Sequence, residues 1–122
     1  MRLTILAFLA MSAPAERPSL DAALAAAESA WGVQTAARLE WRRLNGCNKP
    51  TDTAALTTAG EHVILVNSAC ALDAAKLLIV VEHELGHYLG LGHSDDPASI
   101  MYWQLGMDRT ITAEDRKHVA AK

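Results

Sequence analysis

The chain has 122 residues and a mass of 13.1 kDa, which is enough for a single domain. Its 11 basic and 14 acidic residues give a net charge of −3 without a basic cluster, which excludes the charged surface typical of nucleic-acid-binding proteins. Hydrophobic residues make up 51% of the chain and charged residues 20%, a composition typical of folded proteins. No apolar run reaches the roughly 18 residues that a membrane span needs. We therefore expect a monomer that spans no membrane and binds no nucleic acid.

The N-terminal segment has the order of a secretory signal. Arg2 supplies a positive charge, residues 3–11 form a short apolar stretch, and residues 12–15 are three small residues and a proline. Signal peptides have this order of a charged start, an apolar core and small residues before the cleavage site. The pattern predicts that residues 1–15 are removed, that residues 16–122 form the mature domain, and that the protein is secreted or periplasmic. The alternative is that the segment belongs to the core of the mature fold.

Three segments carry helix signals. Apolar side chains recur at helical spacing over residues 19–31, and Gly32 follows as a stop. The longest pattern begins at Asp73, which can cap a helix, and ends at Gly90. Residues 112–115 read TAED, which is similar to a capping box with Asp in the place of Glu. We expect an N-terminal helix, a long middle helix and a short C-terminal helix.

Two segments carry strand signals. Residues 39–42 alternate between apolar and charged side chains, which predicts a half-exposed strand. Residues 63–66 are four consecutive apolar residues, three of them β-branched, which predicts a buried strand. Residues 51–60 are rich in Thr and Ala and favour neither a helix nor a strand. Together the elements predict an α+β fold, in which a small twisted mixed sheet packs on the long helix.

The most informative segment is residues 83–93, which read HELGHYLGLGH. His83 and His87 are four residues apart, so their rings project from one helix face and suit two ligand positions of a tetrahedral zinc ion. Glu84 lies beside the metal rather than on it, within reach of a water molecule. The chain can turn back after the helix and bring His93 to the same ion. Three histidines leave the fourth position open, as in catalytic zinc sites.

This arrangement predicts hydrolysis of peptide bonds with one catalytic zinc ion. Zinc lowers the pKa of its water from about 15.7 towards 7, and Glu84 then takes the proton and passes it to the leaving amine. A structural zinc ion would also fit the histidines, with Asp95 or Asp96 as a fourth ligand. The same histidines are compatible with a non-catalytic zinc-binding interaction module derived from a peptidase, and with a zinc hydrolase that acts on a non-protein amide.

These residues resemble the signature of the metzincin zinc peptidases, HExxHxxGxxH followed by a methionine turn. Residues 99–102, SIMY, are similar to that turn, which implies that Met101 forms a hydrophobic floor beneath the zinc ligands. Within the metzincins, residues 83–94 are similar to the matrixins in particular. The resemblance implies a metalloendopeptidase that takes peptide or protein substrates at a sheet edge. Residues 63–66 either border that cleft or lie centrally in the core, which their apolar run favours.

The chain departs from its relatives after the methionine turn. Trp103 stands where astacins and serralysins carry a tyrosine that can ligate zinc, so we expect no such ligand here. Residues 103–111 correspond to the wall of the pocket for the residue after the scissile bond. The chain is shorter than a typical matrixin catalytic domain, and we expect neither structural calcium nor a second zinc ion.

Cys47 and Cys70 are the two cysteines of the chain. In an exported protein an even pair predicts a disulfide, which here closes a loop of about two dozen residues and stabilises the fold by roughly 3 kcal/mol. Two free thiols are the alternative in a cytosolic protein. Residues 47–52, CNKPTD, also weakly resemble the prosegment motif whose cysteine keeps matrixins latent by binding zinc.

Overall fold

The computed structural model describes residues 2–6, 17–49, 51–58 and 60–120. A mixed sheet and helix α1 pack against the long helix α2, and a short helix α3 follows near the C-terminus. The predicted α+β fold with an N-terminal, a long middle and a C-terminal helix is therefore confirmed. Among the described residues, no helix combines the length and apolar character needed to cross a bilayer. In chain order the elements are β1 (Arg2–Leu6), α1 (Leu20–Trp31), β2 (Arg38–Arg42), β3 (Thr53–Thr58), β4 (Val63–Asn67), α2 (Ala74–Tyr88) and α3 (Ala113–Ala120).

Helix α1 has the boundaries and the buried face that its sequence predicts. The Ser19 hydroxyl accepts the amide of Ala22 at the N-terminus, and Gly32 ends the helix in a left-handed conformation with φ of 76°. Ala27 and Trp31 lie on its buried face. The indole Nε1 of Trp31 donates a 2.9 Å hydrogen bond to the carbonyl oxygen of Glu82, which joins α1 to α2.

Helix α2 is buried along most of its length. The carboxylate of Asp73 caps it by accepting the amide of Lys76 at 2.8 Å. The helix ends at Tyr88, and Gly90 then adopts a φ of 98°, a conformation that L side chains rarely take. Helix α2 packs on α1 on one side and on the sheet on the other, so its central turns lie in the core.

The sheet has four strands in the order β1-β3-β4-β2. Strands β2 and β4 are parallel, whereas β3 is antiparallel to both of its neighbours. The predicted strand at residues 63–66 is therefore central, which agrees with its apolar run and leaves no room for a peptide beside it. Residues 51–60, for which the sequence favoured neither element, contain β3. In the register of the sheet, Thr57 of β3 lies opposite Ile64 of β4.

The predicted signal peptide at residues 1–15 falls largely outside the described residues. Its described part, β1, pairs antiparallel with β3 along five residue pairs, from Arg2 opposite Thr58 to Leu6 opposite Thr53. This pairing agrees with the alternative that the segment belongs to the fold, but it leaves processing untested. Removal of residues 1–15 therefore stays a prediction.

A disulfide and a buried amide hold the loops at one end of the sheet. Cys47 and Cys70 are joined by a disulfide with a Cα–Cα distance of 5.0 Å. Nearby, the fully buried Asn67 donates to the carbonyl oxygen of Thr53 at 2.7 Å, and its own oxygen accepts the amide of Ala69 at 3.0 Å. Since the disulfide occupies Cys47, its thiol is not available as a latency ligand for zinc.

Candidate active site

Helix α2 presents three polar side chains to the interior of the protein. His83 and Glu84 are fully buried, and His87 is 4% exposed. Burial of charged or polar groups in a hydrophobic core is unfavourable unless they have partners, so such a cluster indicates a functional site. The spacing of four residues places the two imidazole rings one turn apart, with a distance of 3.0 Å between their Nε2 atoms.

The turn after α2 brings the third histidine to the same point. The amide of Gly90 donates to the carbonyl oxygen of His87, and that of Leu91 donates to the carbonyl oxygen of Gly86. These bonds reverse the chain direction, so Nε2 of His93 lies 3.2 Å from Nε2 of His87. Among the described residues, the three histidines thus form a cluster whose potential metal-binding atoms all lie within 4.8 Å of one another.

Backbone carbonyl groups fix the tautomers of the two helix histidines. Nδ1 of His83 lies 2.6 Å from the carbonyl oxygen of Ile100, and Nδ1 of His87 lies 2.8 Å from that of Leu91. A carbonyl oxygen only accepts hydrogen bonds, so each Nδ1 carries a proton and each Nε2 of a neutral ring carries a lone pair. Burial lowers the pKa of His87 to about 4 and that of His83 well below its usual value. Both rings are therefore neutral at pH 7.

The three converging nitrogen atoms fit a zinc ion. Unprotonated Nε2 atoms repel each other at 3.0 to 3.2 Å unless a cation lies between them. Zinc–nitrogen bonds of about 2.0–2.1 Å in a tetrahedron place neighbouring ligands about 3.3 Å apart, close to these distances. Burial also lowers the pKa of His93, which keeps this ring available as a neutral ligand.

Glu84 follows His83 on α2, and its two carboxylate oxygens differ in their partners. Oε1 accepts a 2.7 Å hydrogen bond from the hydroxyl of Thr57, whereas Oε2 has no partner among the described residues. Desolvation by burial raises the pKa of the Glu84 carboxyl to about 8, although the Thr57 hydrogen bonds act in the opposite direction. A buried carboxylate oxygen without a partner, on the residue that follows His83, is suited to take a proton within the site.

The predicted methionine turn packs directly against α2. Met101 is 1% exposed, and a Cβ atom placed on Gly86 would overlap with its Sδ atom. The glycine inside the helix, which lowers helix propensity by about 1 kcal/mol relative to Ala, therefore allows this close approach. The carbonyl oxygen of Met101 also accepts the amide of Ser94 at 2.8 Å, which fixes the chain next to His93.

A buried pair that the sequence analysis missed anchors this turn to α3. The Ser99 hydroxyl bonds the Asp115 carboxylate and accepts the amide of Met101 at 2.9 Å. The TAED segment did indicate the local role of Asp115, because its carboxylate accepts the amide of Thr112 at 3.0 Å in the predicted capping box. Its contact with Ser99, sixteen residues away, had no sequence signal.

The space around the site is open on one side. A cavity of about 600 Å³ lies beside His87 between the end of α2 and the β3–β4 turn. Nδ1 of His62 and the hydroxyl of Tyr88 form a 2.5 Å hydrogen bond at its wall. Trp103 is 46% exposed, and the expectation that this position provides no zinc ligand stays a prediction.

Comparison with known proteins agrees with this geometry. The family model of the matrixins, a group of peptidases, matches residues 7–121. The chain belongs to the matrixin family. It is 49% identical over 49 residues to a protein of Invertebrate iridescent virus 3 named "Probable matrix metalloproteinase 095L", and 57% identical over 30 residues to matrilysin of Rattus norvegicus. These segments are 39% and 25% of this chain, but only 14% and 11% of the two relatives. The matrixin chain thus spans a small part of the length of these relatives.

Proposed function

We propose that this matrixin is a zinc-dependent metalloendopeptidase that cleaves peptide or protein substrates. His83, His87 and His93 would hold one zinc ion, and Glu84 would act as the general base. The observation that carries the proposal is the convergence of three imidazole nitrogens, together with the buried and unpartnered Oε2 of Glu84, the residue that follows His83 in the chain. Membership of a peptidase family supports the same reading.

The chain's own groups account for orientation and proton transfer. Zinc bound there supplies Lewis acidity, which lowers the pKa of water and stabilises negative charge on a carbonyl oxygen. Oε2 of Glu84 accepts the proton of the attacking water and later donates it to the leaving amide nitrogen. In the metal-free chain, burial raises the pKa of the Glu84 carboxyl, so this group binds a proton more readily than an exposed glutamate does. The carbonyl groups of Ile100 and Leu91 keep two ligand rings in the metal-binding tautomer.

A peptide library tests this proposal. The zinc-loaded chain is incubated with the library with and without a chelator, and mass spectrometry locates the cleaved bonds. Glu84→Gln should keep one equivalent of zinc and lose turnover by about 100- to 10,000-fold, because the general base is removed. Glu82→Gln is the matched control on the same helix, and its turnover should equal that of the unmodified chain. Cleavage that survives both chelation and Glu84→Gln would contradict the proposal.

A non-catalytic zinc-binding module is the alternative function. The three histidines could also hold zinc without catalysing a reaction, so the site is compatible with this function. The same experiment separates the two functions. One equivalent of bound zinc without any cleaved peptide would identify the module.

We further propose that residues 1–15 direct export and are then removed, leaving residues 16–122 as the catalytic domain in an extracellular or periplasmic location. The disulfide between Cys47 and Cys70 supports an oxidising compartment, since such bonds are rare in the cytosol. N-terminal sequencing of secreted protein tests the proposal. A first residue near position 16 is expected, and an intact Met1 would contradict it.

A further inference from the structure

The hydroxyl of Thr57 lies within hydrogen-bond distance of two acceptors, and both belong to Glu84. Its Oγ1 atom lies 2.7 Å from Oε1 of the carboxylate and 3.4 Å from the backbone carbonyl oxygen of the same residue. A hydroxyl donates one proton, and the shorter of the two contacts is the stronger bond. The proton of Thr57 is therefore directed to Oε1.

Thr57 is itself held in place by the sheet. It is 3% exposed and lies in β3, where its backbone is opposite Ile64 of the central strand β4. A β-branched side chain has few rotamers, so the position of the backbone largely fixes the position of the hydroxyl. The sheet thereby presents a fixed donor to the carboxylate of α2.

Without this donor, the orientation of the Glu84 carboxylate would be poorly defined. The terminal torsion of a glutamate is broad and nearly two-fold, so its two oxygens exchange places easily. In Glu84 the hydrogen bond from Thr57 distinguishes them, since Oε1 is occupied and Oε2 is left without a partner among the described residues. Oε2 is thus the oxygen free to receive a proton.

We propose that Thr57 is a positioning residue for the general base, because its hydroxyl holds Oε1 of Glu84 and so reserves Oε2 for proton transfer. This inference rests on the proposed function for the role of Glu84. A purely structural role, in which the hydroxyl only fills a buried hydrogen-bond requirement, predicts a loss of stability alone. The positioning role predicts that turnover falls when the hydroxyl of residue 57 is removed and is retained when a hydroxyl is kept there.

Two variants of the full zinc-loaded chain separate these roles. Thr57→Val keeps the shape of the side chain without a donor, and Thr57→Ser keeps the donor without the methyl group. We expect Thr57→Val to lower kcat by about ten- to a hundredfold at unchanged KM and unchanged bound zinc. Thr57→Ser should restore kcat to within about threefold of the unmodified chain.

The chain offers a matched control pair. The hydroxyl of Thr35 donates a 2.8 Å hydrogen bond to Oε2 of Glu28, outside the active site. Thr35→Val removes the same kind of bond, so it should lower stability but leave kcat unchanged. The proposal is overturned if Thr57→Val keeps kcat within about twofold, or if Thr57→Ser is as impaired as Thr57→Val.

A second readout does not depend on cleavage. Crystal structures of the unmodified chain and of Thr57→Val, each loaded with zinc, show the orientation of the Glu84 carboxylate. We expect the carboxylate plane to turn or to occupy two orientations in the variant. An unmoved carboxylate would overturn the inference even if no peptide is cleaved, whereas a turned carboxylate without cleavage would count only against the proposed peptidase activity.

Discussion

The hydroxyl of Ser99 lies 2.8 Å and 2.7 Å from the two carboxylate oxygens of Asp115. This buried pair joins α3 to the methionine turn, in which Ile100 accepts the hydrogen bond from Nδ1 of His83. The next residue, Met101, packs beneath α2 at Gly86. The C-terminal helix therefore supports the metal site through the turn, although the described residues of α3 provide no ligand of the histidine cluster.

Loss of the Asp115 carboxylate should destabilise the protein. Asp115→Ala leaves the buried hydroxyl of Ser99 and the half-buried amide of Thr112 without their partner, for which we expect a loss of about 2–4 kcal/mol in the free energy of unfolding. Denaturant unfolding of the metal-free chain measures it. Glu114→Ala, at an exposed neighbour that pairs with His118, should change stability by at most about 0.5 kcal/mol. Equal effects of the two variants would contradict this account.

A methyl group on Gly86 should disturb the methionine turn. Alanine is favoured over glycine within a helix, but its Cβ would overlap with Sδ of Met101 and lie 3.0 Å from Trp31. We expect Gly86→Ala to lower the free energy of unfolding by about 1–3 kcal/mol, as overpacking does. Gly92→Ala is the control, because a Cβ there meets no atom within 4 Å.

The same clash predicts a coupling. If Met101 is shortened to alanine, the added methyl group has room, so Gly86→Ala should be much less harmful in the Met101→Ala background. Calorimetric or denaturant unfolding of the four proteins gives the coupling free energy. Strict additivity of the two changes would show that the close contact does not matter for stability.

Buried titratable groups predict the pH dependence of the metal-free chain. The pKa values of His83 and His87 are lowered by burial below 6.5, so their contribution to stability is lost as the pH falls below about 6.5. The pKa of Glu84 is raised from 4.5 to about 8, so its contribution is lost as the pH rises towards 8. Below pH 6.5 the two histidines make stability rise with pH, and they outweigh the opposite effect of the single Glu84. Above pH 6.5 only the effect of Glu84 remains among these three groups, so we expect a maximum of stability near that pH.

Urea unfolding in the presence of a chelator, from about pH 4 to pH 9, measures this dependence. Glu84→Gln should remove the decline between about pH 6.5 and pH 8 and leave the acid decline intact. If the unmodified chain and Glu84→Gln decline equally on the alkaline side, another group causes the effect.

The outer edge of β3 should bind peptides better without the N-terminal segment. Strand β1 pairs with this edge, next to Thr57 and so next to Glu84. Removal of residues 1–15 leaves the backbone groups on that side open to an extended peptide. We expect residues 16–122 to cleave the same substrate with a KM about tenfold lower than the full chain, because β1 no longer competes.

A synthetic peptide with the sequence of residues 1–6 provides the control for this prediction. It should inhibit the shortened chain competitively, whereas a scrambled peptide of the same composition should not. Circular dichroism checks that the shortened chain is folded. Equal KM values for the two folded chains would show that β1 does not cover the substrate edge.

Local signals in the sequence were sufficient for much of the fold. The cap at Asp73 lies one residue before the helix that it begins, and the continuous apolar run at residues 63–66 is a central strand. Strand β3 was not predicted, because a segment rich in Thr and Ala fits a helix as well as a strand. Its assignment depends on pairing with β4, which is a tertiary contact.

The candidate site, too, could be predicted from the sequence only in part. His83, Glu84 and His87 were predicted because their spacing on one helix sets their geometry. The contacts of Thr57 with Glu84 and of Ser99 with Asp115 span 27 and 16 residues, and neither has a characteristic sequence spacing. Such partners become visible only when the strands and the turn are placed around the helix.

Anomalous diffraction at the zinc edge tests the central claim most directly. In crystals of the chain grown with one equivalent of zinc, we expect a single anomalous peak at about 2.0–2.1 Å from Nε2 of His83, His87 and His93. The carboxylate of Glu84 should lie outside bonding distance of that peak. A peak elsewhere, or no peak at these three nitrogens, would contradict the assignment of the site as a zinc centre.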